Sequence, residues 1–187
     1  EDGFLPQSTL LQMLEARCPD VLFLCTPNNP TGRLFPQALL RDVLALCRRK
    51  NIRVLLDECF LDLTDGQRMK DMLQDYPQLL ILKAFTKSYA LAGVRLGYCL
   101  SADHALLERM AAGVQPWNVS VLAQSAGVAA LQQTQFLQQT RAYLPPQRAY
   151  LQKVLVEAGC WVCPSDANYL LFQGPVGLDD ALRKEKI

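Results

Sequence analysis

Three short apolar runs, at residues 21–25, 52–56 and 79–82 and interrupted only by Arg53, constrain the fold of this chain more than any other feature. Each is too short for a typical helix and too apolar for a strand with one face in water, so each is expected to be a strand covered on both faces, as in a parallel sheet. Between the first two lies a stretch of helical period. Leu39, Leu40, Val43, Leu44 and Cys47 share one face of it, Pro36 stands at its first turn, and Asn51 follows its basic end. An amphipathic stretch over 8–15, with Ser8 or Thr9 as cap, precedes the first strand. A short helix is expected near 67–74 and a fourth strand over 95–100. Alternating strands and helices imply right-handed crossovers and a mostly parallel sheet with flanking helices, an α/β fold.

After residue 100 the pattern turns helical, over 103–113, 118–133 and 134–159. Pro145-Pro146 is expected to break the last of these into two segments. Residues 161–163 and 168–172 read as strands of a smaller α+β domain, with a final helix from Leu178. With 187 residues, half of them apolar, the chain can bury a sizeable core. It opens on Glu1-Asp2-Gly3-Phe4 and stops at Ile187, where a helix is handing over to a strand, and is read as an internal fragment of a longer protein.

A net charge of +1 supplies no field that would attract nucleic acid or anionic lipid. Arg48-Arg49-Lys50 ends a helix, where cations complement the macrodipole. No apolar run is long enough to span a membrane. The 7 cysteines are an odd number scattered mostly through apolar runs, which fits reduced, buried thiols in a cytoplasmic protein. Cys160-Trp161-Val162-Cys163 spells a CxxC, but in a strand its two thiols would point to opposite faces. With no second pair and His104 the only histidine, no metal site is expected.

In a parallel sheet ligands bind beyond the carboxyl ends of the strands. Asn29, Asp57 and Lys87 each fall within about five residues after a different strand end, so topology alone can bring them to one site. A lysine fixed in an apolar loop of small residues can lose its proton and attack an aldehyde. Ala90, Ala92 and Gly93 permit close backbone approach, and Arg95, eight positions on (95 − 87 = 8), offers a planar fork for a phosphate. An aldehyde with a phosphate points to pyridoxal 5'-phosphate.

The segment Thr86-Lys87 followed by Leu91-Ala92-Gly93-Val94-Arg95-Leu96-Gly97-Tyr98 resembles the Schiff-base segment of the fold-type I, class I/II aminotransferases. The resemblance runs along essentially all of the chain and is strongest to the branch that holds histidinol-phosphate aminotransferase and threonine-phosphate decarboxylase. Asn29-Pro30-Thr31-Gly32 matches the family's Asn-Pro-Thr-Gly, whose asparagine bonds the cofactor's phenolic oxygen; taken alone, Asn29 is equally a turn former. The resemblance makes Asp57 the partner of the pyridine nitrogen, Lys87 the Schiff-base lysine, and Thr86 and Arg95 phosphate ligands. Phe60 stands where many relatives have a tyrosine, and Ala84 where many have a Ser or Thr ligand. Glu58 is read as structural, His104 as an exposed helix start. Trp117 and Asn168 are candidate substrate contacts.

By the same resemblance, residues 1–133 are part of a cofactor-binding large domain, and 134–187 a connecting helix and part of a C-terminal small domain. The implied activity acts on an amino-acid or amine phosphate, with threonine-phosphate decarboxylation first and a histidinol-phosphate type of transamination as the alternative. A cofactor-sensing domain of a transcription regulator is a further alternative. Relatives are usually homodimers.

Overall fold

The computed structural model describes residues 4–186. Four strands form the main sheet: β1 (Val21–Cys25), β2 (Arg53–Asp57), β3 (Leu79–Ala84) and β4 (Gly97–Ser101), in that spatial order. β1, β2 and β3 are mutually parallel, and β4 returns antiparallel to β3. The mostly parallel sheet expected from the apolar runs is therefore present, within a residue or two of the anticipated bounds.

Helices α1 (Thr9–Arg17) and α2 (Gln37–Lys50) cover one face. Leu40, Val43, Leu44 and Cys47 of α2 meet Val54, Leu56, Leu79 and Ile81 of the sheet, all fully buried. Pro36 precedes α2, and Asn51 ends it in the left-handed region at φ 55°, which asparagine tolerates better than most side chains. Ser8 stands at the cap position of α1 but accepts no side-chain hydrogen bond there.

The opposite face is more open than the sequence implied. Phe23 of β1 is 70% exposed and Val21 44%. β1 is the sheet's edge, and its apolar run does not report coverage on both sides.

The crossover from β2 to β3 differs from the expected helix near 67–74. It carries only 3-10 turns at Leu61–Leu63 and Lys70–Met72. The Met69 N–H donates to Glu58 Oε1 at 3.2 Å and Arg68 is drawn to Asp62 at 2.9 Å, bonds that tie this crossover back to the turn after β2.

Beyond β3, a single turn α3 (Phe85–Ser88) carries Lys87, where the sequence suggested a loop. α4 (His104–Gly113) is capped by Asp103, whose Oδ1 accepts from Leu106 N at 2.9 Å. α5 (Val121–Leu131) starts three residues later than anticipated, capped by Ser120, whose Oγ accepts from Ala123 N at 3.1 Å. α6 (Thr134–Glu157) runs unbroken through Pro145 and Pro146. Two adjacent prolines remove two donors from the ladder, and the long flanking stretches carry the helix past them.

A second sheet pairs β5 (Trp161–Val162) antiparallel with β6 (Phe172–Gln173), and α7 (Leu178–Lys184) follows. Most of the strand expected over 168–172 is loop, because side chains bind it elsewhere. Ser165 Oγ donates to the Tyr169 carbonyl at 2.7 Å, Asp166 N donates to Gly32 O at 2.8 Å, and Asp166 Oδ2 accepts from Leu34 N at 3.0 Å. None of the 7 cysteines is in a disulfide; Cys160 and Cys163 flank β5 and are buried. Among the described residues no helix is long and apolar enough to cross a membrane, and no cluster of His, Cys, Asp or Glu is arranged for a metal ion.

Candidate active site

Register aligns the carboxyl ends of the parallel strands. Cys25 is opposite Asp57, and Asp57 opposite Leu82. The ladder continues one step further, with Thr26 N donating to Asp57 O at 2.9 Å and Glu58 N to Leu82 O at 3.0 Å. Asp57 is half-buried, and its Oδ1 accepts from Cys59 N at 2.9 Å, a local turn that orients the carboxylate. No cation pairs with it among the described residues.

Lys87 is exposed, and its Nζ lies 5.5 Å from the centroid of the Phe60 ring, within reach of a cation–π attraction. Among the described residues it makes no ion pair. Phe60 meets Tyr169 edge to face, with centroids 5.0 Å apart and planes at 77°. The Tyr169 hydroxyl donates to the Asn28 carbonyl at 3.2 Å, which ties the loop after β1 to the region after α6.

That loop is folded by its own bonds. Asn28 Nδ2 donates to Thr31 Oγ1 at 2.9 Å, Gly32 N to Asn28 O at 2.6 Å, and Asn28 N to Arg33 O at 2.8 Å. The Thr26–Pro27 and Asn29–Pro30 bonds are both cis. Gly32 has φ +72°, and a Cβ there would run into the Ser165 side chain, so this position requires glycine. The folded loop leaves Asn29 exposed at its tip.

Arg95 stands in the left-handed region at φ 57°, between a 3-10 turn (Ala92–Val94) and β4. Its Nη1 donates to Ala92 O at 2.9 Å, and Phe85 N bonds Leu96 O at 3.1 Å, so its backbone runs beside the turn that bears Thr86 and Lys87. The expected strand over 95–100 therefore begins only at Gly97. Trp117 is 95% exposed and is not drawn into this group. Asn168 lines a cavity of about 120 Å³ against α6, together with Arg148, Leu151 and Tyr169.

The sequence reasoning did not single out Cys25, Cys59 or Tyr169. Cys25 satisfies the same strand-end argument that found Asp57. Burial pushes the Cys25 thiol up; it drives Cys59 to about 12, helped by a hydrogen bond with Asp57 and by its charge. Tyr169 also rises to about 12, through burial and then the charges of Cys25 and Asp57. These three groups therefore stay protonated at neutral pH, and the phenol serves as a donor. Lys87 thus stands on the turn after β3, Asp57 at the end of the adjacent β2, Asn29 on the loop after β1, and Arg95 on the segment bonded to the Lys87 turn.

Known proteins resemble this chain in both sequence and fold. The sequence pattern of the family described as aminotransferase class I and II matches residues 7–187. The threonine-phosphate decarboxylase of Salmonella typhimurium is 40% identical over 165 residues, 86% of this chain and 45% of that protein. The histidinol-phosphate aminotransferase of Oleidesulfovibrio alaskensis is 37% identical over 164 residues, 83% of this chain and 41% of that protein. The chain thus spans less than half the length of these two relatives. In fold, the crystal structure of the histidinol-phosphate aminotransferase from Clostridium acetobutylicum superposes with a TM-score of 0.92 at 24% identity, covering 100% of this chain and 58% of that one. On the extent of these matches, the chain belongs to the class I and II aminotransferase family.

Proposed function

We propose that the protein is a pyridoxal 5'-phosphate enzyme acting on an amino-acid or amine phosphate, with threonine-phosphate decarboxylation as its reaction. The observation that carries this reading is the placement of Asp57 and Lys87 on adjacent parallel strands' ends, with Phe60 of the intervening turn under the Lys87 ammonium. The residues fit the cofactor: an amine and a carboxylate without ion-pair partners among the described residues, and a guanidinium that donates to a backbone carbonyl. When bound, the cofactor supplies an electron-withdrawing ring that stabilises a carbanion at the substrate's α-carbon.

In this reading Asp57 holds the pyridine nitrogen, and the Cys59 N–H keeps the carboxylate turned for that task. Asn29 donates to the phenolic oxygen. Phe60 has no hydroxyl to add there, and Ala84 none for the phosphate, so Thr86 and Arg95 carry more of the phosphate anchoring. Lys87 is the amine that would hold the cofactor through its aldehyde and would move protons at the substrate's α-carbon. Trp117 and Asn168 remain substrate-side candidates, Asn168 through its place beside Tyr169.

Similarity to the decarboxylase at 40% identity supports the first reaction, as does the resemblance of Pro116-Trp117 and of residues 57–60 to that branch. Similarity at 37% to an aminotransferase supports transamination of a histidinol-phosphate type as the second reading. A cofactor-sensing domain of a transcription regulator is the third. Assignment of 1–133 to a large domain and 134–187 to a connecting helix and part of a small one is supported by the two separate sheets. Cysteines outside any disulfide support a cytoplasmic setting, and a homodimer rests on family resemblance alone.

The deciding assay supplies the full-length protein with pyridoxal phosphate and either threonine phosphate or the pair histidinol phosphate and 2-oxoglutarate. Release of CO₂ from threonine phosphate is expected. Glutamate formed from the second pair without CO₂ from the first establishes transamination instead, and turnover in neither overturns both enzymatic readings.

A further inference from the structure

A buried charged cluster lies directly behind the loops that carry Asp57 and Lys87. Lys83 is on β3, four residues before Lys87 (87 − 83 = 4), and its side chain is 7% exposed. Its ammonium is 2.8 Å from Asp62 Oδ2 and 3.7 Å from Glu58 Oε2. Glu58 is the residue after Asp57; its side chain is 1% exposed, and its Oε1 takes the Met69 N–H at 3.2 Å. Asp62 Oδ1 takes Arg68 Nε at 2.9 Å, while its backbone carbonyl takes Arg141 Nε from α6 at 2.7 Å. The cluster borders a cavity of about 180 Å³ that Tyr89 and Tyr98 also line.

Alternation along β3 puts Lys83 on the sheet face of Ile81, opposite the face of Leu82 and Ala84. Removing such charges from water costs so much that well-packed apolar residues of the same volume often serve stability as well or better. Net stabilisation is therefore a poor account of the cluster. What it does provide is a directional tie. Asp62 is on the 3-10 turn just after Phe60, Glu58 is bonded in sequence to Asp57, and Lys83 is on the strand that runs into the Lys87 turn.

We propose that Lys83 is a positioning residue: paired with Asp62 and Glu58, it clasps the turn of residues 57–62 to β3 and thereby sets where Asp57 and Phe60 stand relative to Lys87. The inference rests on the cofactor reading above. Lys83 touches neither substrate nor cofactor in this account and acts through the two elements it joins. A cluster that served stability alone would lower the melting temperature on substitution, yet leave cofactor affinity and spectrum unchanged in variants that still fold.

The test titrates the full-length protein with pyridoxal phosphate as wild type, Lys83→Met, Asp62→Asn and the double variant. Folding is checked by circular dichroism, and both the Kd and the absorption maximum of the bound cofactor are read. The single variants are expected to fold and to bind at least about tenfold more weakly, since small displacements of reacting groups are costly. Their absorption maximum should move toward that of the free cofactor. The double variant should bind no more weakly than the worse single one, because both changes open the same clasp. Folded single variants with wild-type Kd and spectrum overturn the proposal, and so do strictly additive losses in the double variant. If Lys83→Met does not fold, Asp62→Asn, which keeps the side chain's shape, decides by the same two readouts. A wild-type protein that binds no cofactor overturns the cofactor reading and this inference with it, an outcome distinct from wild-type binding that the variants share.

Discussion

Asp57 and Asp62 are five residues apart (62 − 57 = 5) and use the same functional group in opposite ways. Asp57 is turned by a backbone N–H and left without a cation, whereas Asp62 is held by Lys83 and Arg68. Burial pushes the Asp62 carboxyl up, but the hydrogen bonds and charges of Lys83 and Arg68 outweigh it and leave it below the ordinary 3.8. A carboxyl lowered in the folded state contributes stability above its unfolded pKa and loses it as pH falls through the folded value. Glu58 acts in the reverse sense: burial raises it above 4.5 against the pull of Lys83, so its contribution is present at low pH and fades as pH rises. Asp62→Asn should therefore flatten the fall in melting temperature below about pH 4. Melting curves measured from neutral to acid pH check this, and an unchanged acid slope would show that Asp62 carries no such stabilisation. The positions of Asn29, Asp57 and Lys87 at strand ends were legible from topology alone. Tyr169 was not, because its hydroxyl meets Asn28 across 141 positions of sequence, and no local pattern announces such a contact.

At the scale of elements, signals with a backbone cause were the readable ones. Pro36 and Asn51 bracket α2 because each has a conformational preference that suits a helix end. Short runs of apolar residues, broken only by Arg53, located β1, β2 and β3, since a helix would have needed a 3.6-residue period. The misread elements are those tied to distant side chains: Glu58 and Asp62 hold Met69 and Arg68 in the crossover, and Ser165 and Asp166 hold the loop before β6. β2 is the element on which the site depends most, and Leu56, fully buried, sits directly before Asp57. Leu56→Ala should destabilise the fold by about 2–5 kcal/mol through lost burial and the cavity left behind. Urea denaturation measures this directly, and a loss under about 1 kcal/mol would mean that the α2 face of the sheet is not the principal core.

For the molecule as a whole, the order of strands places the candidate residues. Parallel β1, β2 and β3 present their carboxyl ends at one edge, and antiparallel β4 brings Arg95 back beside the Lys87 turn. The open face of β1 and the exposed Val121 and Leu122 of α5 were not legible, because an apolar run states what can be buried and not what covers it. The central claim is that Lys87 is the amine at the end of a buried strand that takes the cofactor's aldehyde. Borohydride reduction of the full-length protein mixed with pyridoxal phosphate, followed by peptide mapping, tests it most directly. The account predicts a single pyridoxyl group on Lys87; a label on Lys83 or Lys70 in its place would contradict it.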